Sequence, residues 1–149
     1  LEGLTSVEGG YDRTGSRSPM QWEKKEGFGF TSAKTSYIPF DKSEDAPSVE
    51  EQSVNSDSLL AAVKELLALR AAHKALQSFG EFVPVFAQKE RYPFAYERRA
   101  AGENILVVLN PADREECAAF DCSGKVLWSV GGVPEDGKIP ARSACVIAK

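Results

Sequence analysis

The stretch Arg17-Ser18-Pro19-Met20-Gln21-Trp22 holds the residue types best suited to gripping a ligand. A guanidinium is planar, always charged and rich in donors, so it can bridge a carboxylate and a hydroxyl. A tryptophan such as Trp22 is costly to leave in water. No helical or strand period runs through residues 15–30; Gly15 and Pro19 break one regular element, Gly27 and Gly29 the next. The loop therefore either folds back onto a core or lines a site.

The other reactive residues bound the chemistry. His73 is the only histidine, which excludes a histidine-based triad or a multi-histidine metal site within this chain. Cys117, Cys122 and Cys145 are odd in number and lack CxxC spacing, against both a disulfide framework and a zinc site. They are expected as buried thiols in a reducing compartment, hence a cytoplasmic protein. No metal and no cofactor is expected. The loop acids Asp12, Glu23, Glu26, Asp41, Glu44 and Asp45 match no catalytic motif and read as a solvated face.

Composition narrows the class further. The chain has 149 residues, 42% of them hydrophobic, enough for a real core. Eighteen basic residues against 22 acidic ones leave a net charge of −4, so no basic stripe offers itself to nucleic acid. No apolar run is long enough for a membrane span. Leu1-Glu2-Gly3-Leu4 has neither the basic nor the apolar region of a signal peptide, and the missing initiator Met points to a processed or engineered start.

Two kinds of segment must position these residues. Residues 1–55 carry no convincing regular element, yet hold Tyr11, Trp22, Phe28, Phe30, Tyr37 and Phe40, which fit disorder poorly. A structureless stretch of that length is uncommon in a compact domain, so it reads as a piece of a larger body. Residues 57–76 predict a helix capped by Ser56 or Asp57, with Leu59, Leu60, Val63, Leu66 and Leu67 as one apolar stripe. Arg70 falls on that stripe, either covering apolar surface with its stem or pairing with a neighbouring element. His73 near the helix end suits the helix dipole. After Gly80 the period becomes that of strands: 82–86, 94–99, 104–110, 117–120, 125–130 and 144–148, with a hairpin bend at Gly102. Residues 130–140 read as turns. Short strands at close spacing predict a small antiparallel sandwich over 79–149.

Arg-Ser-Pro-Met-Gln-Trp, then Gly27-Phe28, Tyr37-Ile-Pro-Phe40, Val49-Glu-Glu-Gln52, the helix ending Leu69-Arg-Ala-Ala-His-Lys-Ala-Leu76, and the strand pair at 93–110 together resemble a family. The order is similar to that in the C-terminal portion of α-glucosidases of glycoside hydrolase family 13, in the branches of oligo-1,6-glucosidase, dextran glucosidase and trehalose synthase. The hexapeptide is the specific signal; the later strands are generic. Glu23 stands where the family has Asp or Ser, which leaves the branch open.

The resemblance implies an α+β fragment. Residues 1–78 would be the last loop and helix of a (β/α)8 barrel, and 79–149 an antiparallel β-sandwich, domain C. Barrel active sites lie on the loops after the strands, so the hexapeptide would sit at the mouth of a sugar pocket. Arg17 matches an arginine that holds the outer hydroxyls of the non-reducing-end glucose; Gln21 and Trp22 follow it as substrate-binding candidates, with Trp22 either packing the loop or stacking on a sugar. Retaining glycosidases need two carboxylates about 5–5.5 Å apart, and in the family both lie on earlier barrel strands. No catalytic residue is therefore assigned here, and the chain alone is expected to be inactive. Its implied partners are an α-glucoside oligosaccharide, in the intact enzyme, and the rest of the barrel. Two readings of other classes stand beside this one. A glycan-binding sandwich needs aromatics in a row, whereas Phe94, Tyr96, Phe120 and Trp128 fall on distant strands. A protein-interaction module would dock a partner on its apolar faces.

Overall fold

The computed structural model describes residues 17–149. Tyr11, Asp12 and Gly15 lie outside the described residues. The chain divides into two compact units, the boundary falling after Lys64. Among the described residues no helix is long and apolar enough to cross a membrane.

In the N-terminal unit, residues 17–25 are irregular, a 3-10 turn covers Glu26–Gly29, and helix α1 spans Val49–Val54. The sequence had suggested no regular element before residue 55, so α1 is a correction. Helix α2, Leu59–Ala72, begins two residues later than a Ser56 cap and one later than an Asp57 cap would place it. Ser58 caps it, its hydroxyl accepting from the Ala61 amide at 3.1 Å.

No residue of α2 is buried, and the expected stripe is largely exposed, Leu59 by 74% and Leu67 by 60%. The unit boundary falls within α2, and Leu69, outside that stripe and already in the C-terminal unit, packs against that unit's core. A helix with leucines around its circumference is normally covered on more than one side. Arg70 is exposed, and no carboxylate of the described residues pairs with it.

The C-terminal unit contains seven strands: β1 Glu81–Phe86, β2 Phe94–Ala100, β3 Glu103–Asn110, β4 Glu116–Cys117, β5 Lys125–Val130, β6 Lys138–Ile139 and β7 Ser143–Ala148. Five form an antiparallel sheet in the order β1-β2-β3-β7-β5, and β4 pairs with β6 in a two-stranded ribbon. The expected strand at 117–120 is thus only Glu116–Cys117, and its partner β6 lies inside the segment read as turns. Both strands are two residues long, too short for alternation to register.

β3 and β7 form the centre. Leu106 and Val108 of β3 and Cys145 and Ile147 of β7 face the layer that holds Ile139, Ala118 and Phe120. Ile105, Val107 and Val146 face the opposite way, onto Ala75, Leu69 and Leu76. Burial on both faces explains the unbroken apolar run of β3, where a one-sided strand would alternate. The edge strands are β1, which carries Pro84, and β5, which carries a bulge between Val126 and Trp128.

Two polar devices hold the layers together. Asn110 is fully buried; its amide nitrogen lies 3.0 Å from the Arg114 carbonyl, 3.3 Å from that of Ile139 and 2.8 Å from that of Pro140, while its oxygen accepts from the Ala112 amide. It thereby ties the end of β3 to the segment entering β7. The second device clasps the turn Lys74–Leu76 after α2. Glu103 accepts from the buried Ala75 amide at 2.8 Å, and Arg98 donates to the carbonyls of Ala75 at 3.2 Å and Gln77 at 2.7 Å. A Cβ on Gly80 would stand 2.1 Å from the same Ala75 carbonyl, so glycine is required there. His73 lies just beyond the end of α2, 3.5 Å from Glu103. Of the thiols, Cys145 is buried, Cys122 half-buried and Cys117 exposed, so burial holds for only part of the expected set. Burial raises the thiol pKa of Cys122 and Cys145.

Two expected outcomes follow from these features. The β2–β3 hairpin turns on Ala101 (φ 51°) and Gly102 (φ 82°), and a left-handed alanine is strained. Ala101→Asn is expected to raise stability by about 0.5–1 kcal/mol, read from the urea midpoint. The Ala75 amide, then His73, lowers the Glu103 pKa below its ordinary 4.5. This stabilisation is present above pH 4.5 and is lost as pH falls through the depressed folded value. Glu103→Gln should flatten that acid limb of the stability-versus-pH curve and leave the neutral-to-alkaline limb parallel to wild type.

Candidate functional site

The hexapeptide loop is held by its main chain. A helix start leaves several amides without partners. At α1 each one is accounted for. The Ser48 amide meets the Glu51 carboxylate at 3.3 Å, and the Glu51 amide meets the Ser48 hydroxyl at 3.3 Å, a capping box. The Val49 amide donates to the Gln21 carbonyl at 3.0 Å, and the Glu50 amide to the Trp22 carbonyl at 2.9 Å. Two residues of the hexapeptide thus complete the N-terminus of α1. Lys24 pairs with Glu51 at 3.0 Å, and this contact, then Ser48, lowers the Glu51 pKa.

The following turn closes on the same loop. The Phe28 carbonyl accepts from the amides of Trp22 at 2.9 Å and Glu23 at 3.3 Å. Gly27, Phe28 and Gly29 all take positive φ. At Gly29 a Cβ would lie 3.1 Å from the Trp22 Cβ, so glycine lets the two chains approach. Phe40 packs on Phe28, ring centroids 4.7 Å apart, and on Phe30 edge-on at 6.0 Å. The scattered aromatics of this half therefore cluster locally.

A cleft of about 320 Å³ lies beside the loop. Ser18, Gln21, Asp41, Ser48 and Gln52 bring polar groups to it. Gln21 donates from its side chain to the Asp41 carbonyl at 2.7 Å, so it braces the cleft wall. Arg17 is exposed and Trp22 is 48% exposed, and neither lines the cleft. The structure thus brings Gln21 to the cleft and leaves Arg17 and Trp22 on the accessible side of the loop. Among the loop acids, Glu23 pairs with Lys25, and Asp41 accepts from the hydroxyl and amide of Ser43, which lowers its pKa. Glu26, Glu44 and Asp45 are exposed. The capping role of Ser48 was missed, although Ser48-Val49-Glu50-Glu51 is a readable capping-box signature. The bracing role of Gln21 carries no local signal, because its partner lies 20 residues away.

Residues 2–78 match the α-amylase family, described as "Alpha amylase, catalytic domain", and the chain belongs to that family. It is 30% identical over 112 residues to a glucan 1,6-α-glucosidase of Streptococcus dysgalactiae subsp. equisimilis, covering 75% of this chain and 20% of that protein. It is 32% identical over 105 residues to a trehalose synthase of Thermus thermophilus, covering 66% of this chain and 11% of that one. The chain thus spans a fifth or less of the length of these relatives. In fold it matches an isomaltulose synthase of Klebsiella sp. LX3 with a TM-score of 0.78 at 22% identity, over 91% of this chain and 25% of that one. The few helices and the mainly antiparallel sheet match this solved structure, as expected of an α+β fragment with an antiparallel sheet.

The capping geometry makes α1 depend on both its own side chains and the loop. Ser48→Ala should cost about 1 kcal/mol. Native-state hydrogen exchange should show it as about fivefold faster exchange at the Glu51 amide. The Val49 and Glu50 amides, held by the hexapeptide carbonyls, should change less.

Proposed function

We propose that this chain is the C-terminal portion of a retaining α-glucosidase that hydrolyses α-glucosidic bonds of short oligosaccharides. The observation that carries the reading is the match of residues 2–78, hexapeptide included, to the α-amylase catalytic domain. A relative named glucan 1,6-α-glucosidase adds to it. In this reading residues 1–78 are the last loop and helix of the catalytic barrel and 79–149 the domain that follows it. The catalytic carboxylate pair is supplied by earlier strands, so the chain alone does not turn over substrate. The intact enzyme is read as cytoplasmic.

Arg17 is assigned to the outer hydroxyls of the terminal glucose. Its exposed position on the loop agrees with a residue that meets a ligand. A charged donor contributes about 1.5–3 kcal/mol per hydrogen bond in a water-poor pocket. Trp22 is its neighbour on the accessible side, and Gln21 acts by bracing the loop. The 32% identical trehalose synthase favours a second reading, isomerisation of the same bond class in place of hydrolysis; product analysis on maltose separates the two.

The 149-residue chain should leave p-nitrophenyl α-glucoside and isomaltose untouched. Turnover abolished by changing Glu23, Asp41 or another loop acid would refute the reading. In the intact enzyme, Arg17→Ala should lower kcat/KM at least about tenfold, equivalent to about 1.4 kcal/mol. Arg17→Lys should recover only part of that, since it keeps the charge and loses the fork. Ser18→Ala should be nearly silent. Full activity of Arg17→Ala would assign the sugar contacts to other residues.

A further inference from the structure

In the motif Val49-Glu50-Glu51-Gln52 the first three residues serve the hexapeptide loop. The Val49 and Glu50 amides bond the Gln21 and Trp22 carbonyls, and Glu51 pairs with Lys24 at 3.0 Å. Gln52 serves α2 instead. Its side-chain oxygen accepts from the Leu60 amide at 3.0 Å, and its carbonyl accepts from the Ser58 hydroxyl at 2.7 Å. A backbone amide can only donate, so the oxygen of the Gln52 side chain is the atom that faces it. The first turn of a helix leaves amides without partners inside the helix. At α2 the Ala61 amide is met by Ser58, and the Leu60 amide by Gln52 from eight residues upstream.

α1 depends on such a tie. It spans six residues, none of them buried. A helix this short is not stable on its own, and with no buried face it is fixed chiefly by polar contacts at its two ends. At its start those contacts run to the hexapeptide; at its end they run to α2 through Gln52. Gln52 also lines the cleft of about 320 Å³ together with Ser18, Met20 and Gln21. The loop is therefore registered on α2 through a short helix with one side-chain link at its far end.

We propose that Gln52 is a positioning residue: by fastening α1 to the first turn of α2 it sets where the hexapeptide loop, which carries Arg17, stands against substrate. The proposal rests on the reading of the chain as the C-terminal portion of an α-glucosidase. A loop that is free to occupy several positions binds substrate in only a fraction of them, which weakens apparent affinity by that fraction. Loss of the link therefore acts mainly on KM.

Gln52→Met keeps the length of the side chain and loses the acceptor. Gln52→Glu keeps an acceptor, and a carboxylate is favoured at a helix start. Native-state hydrogen exchange of the 149-residue chain reads the link without substrate. Gln52→Met should speed exchange at the Leu60, Val49 and Glu50 amides by at least about fivefold, and Gln52→Glu should bring all three back toward wild type. Gln52→Ala, read in the same way, stands in if the methionine variant does not fold. Acceleration confined to Leu60 overturns the proposal, because the contact would then serve α2 alone. Equal acceleration at Leu106 and Val108 of β3 marks global loosening and also overturns it. In the intact protein, Gln52→Met should lower kcat/KM on p-nitrophenyl α-glucoside at least about threefold, through KM, with Gln52→Glu close to wild type. Combined with Arg17→Ala it should add less than about twofold, since both changes remove the same contact. Losses that multiply, or a fall in kcat alone, overturn the proposal. An intact protein without α-glucosidase activity whose amides respond as expected refutes the enzymatic reading alone. An active one whose Val49 and Glu50 amides ignore Gln52→Met refutes this proposal alone.

Discussion

One buried peptide group decides how the C-terminal unit is put together. Ala75 has no exposed surface, and its amide and carbonyl are both met by charged side chains, Glu103 from β3 and Arg98 from β2. Leaving either group unpaired in the interior costs about 1–3 kcal/mol. The chain leaving α2 can therefore descend onto the sheet in one position only, with Leu69 and Leu76 against Ile105, Val107 and Val146. Gly80 permits the close return that follows. The match to the catalytic domain ends at residue 78, so this clasp sits where the family segment gives way to the sheet. The sheet is thereby tied to the end of the helix by several polar contacts as well as by apolar packing.

The N-terminal unit uses a different economy. Its loop has no ladder of its own and borrows order from α1, whose first amides need acceptors that Gln21 and Trp22 supply through their carbonyls. The contact costs the loop no side chain. Trp22 is thus positioned by its backbone bonds, and its side chain stays half-exposed.

Much of this was legible in the residues. β3 could be read from its run Ile105–Leu109, the hairpin from Gly102, and α2 from its leucines, because each signal lies within one element. What escaped reading depends on distance along the chain. α1 is only six residues long, and half of its capping comes from a loop more than twenty residues earlier. β4 and β6 exist because they pair with each other, with Glu116 opposite Ile139 and Cys117 opposite Lys138. The packing side of α2 was misassigned because leucines surround the helix, so periodicity alone gave no unique face. At the site, the hexapeptide announced itself by composition, whereas the separation of Gln21 from Arg17 and Trp22 follows from a side-chain bond to Asp41 that no local pattern encodes.

The two outer strands of the sheet bear on how this protein behaves in crowded solution. An open sheet ends in rows of unsatisfied donors and acceptors, which recruit strands from other molecules. Here β1 places Pro84, which has no amide to give, in its interior and slips register beyond it. β5 opens with Lys125 and bulges between Val126 and Trp128. Neither border presents a straight, fully donating template. A sheet whose central strands are as apolar as β3 and β7 would, with straight borders, be a natural seed for filaments; its interrupted borders remove that template.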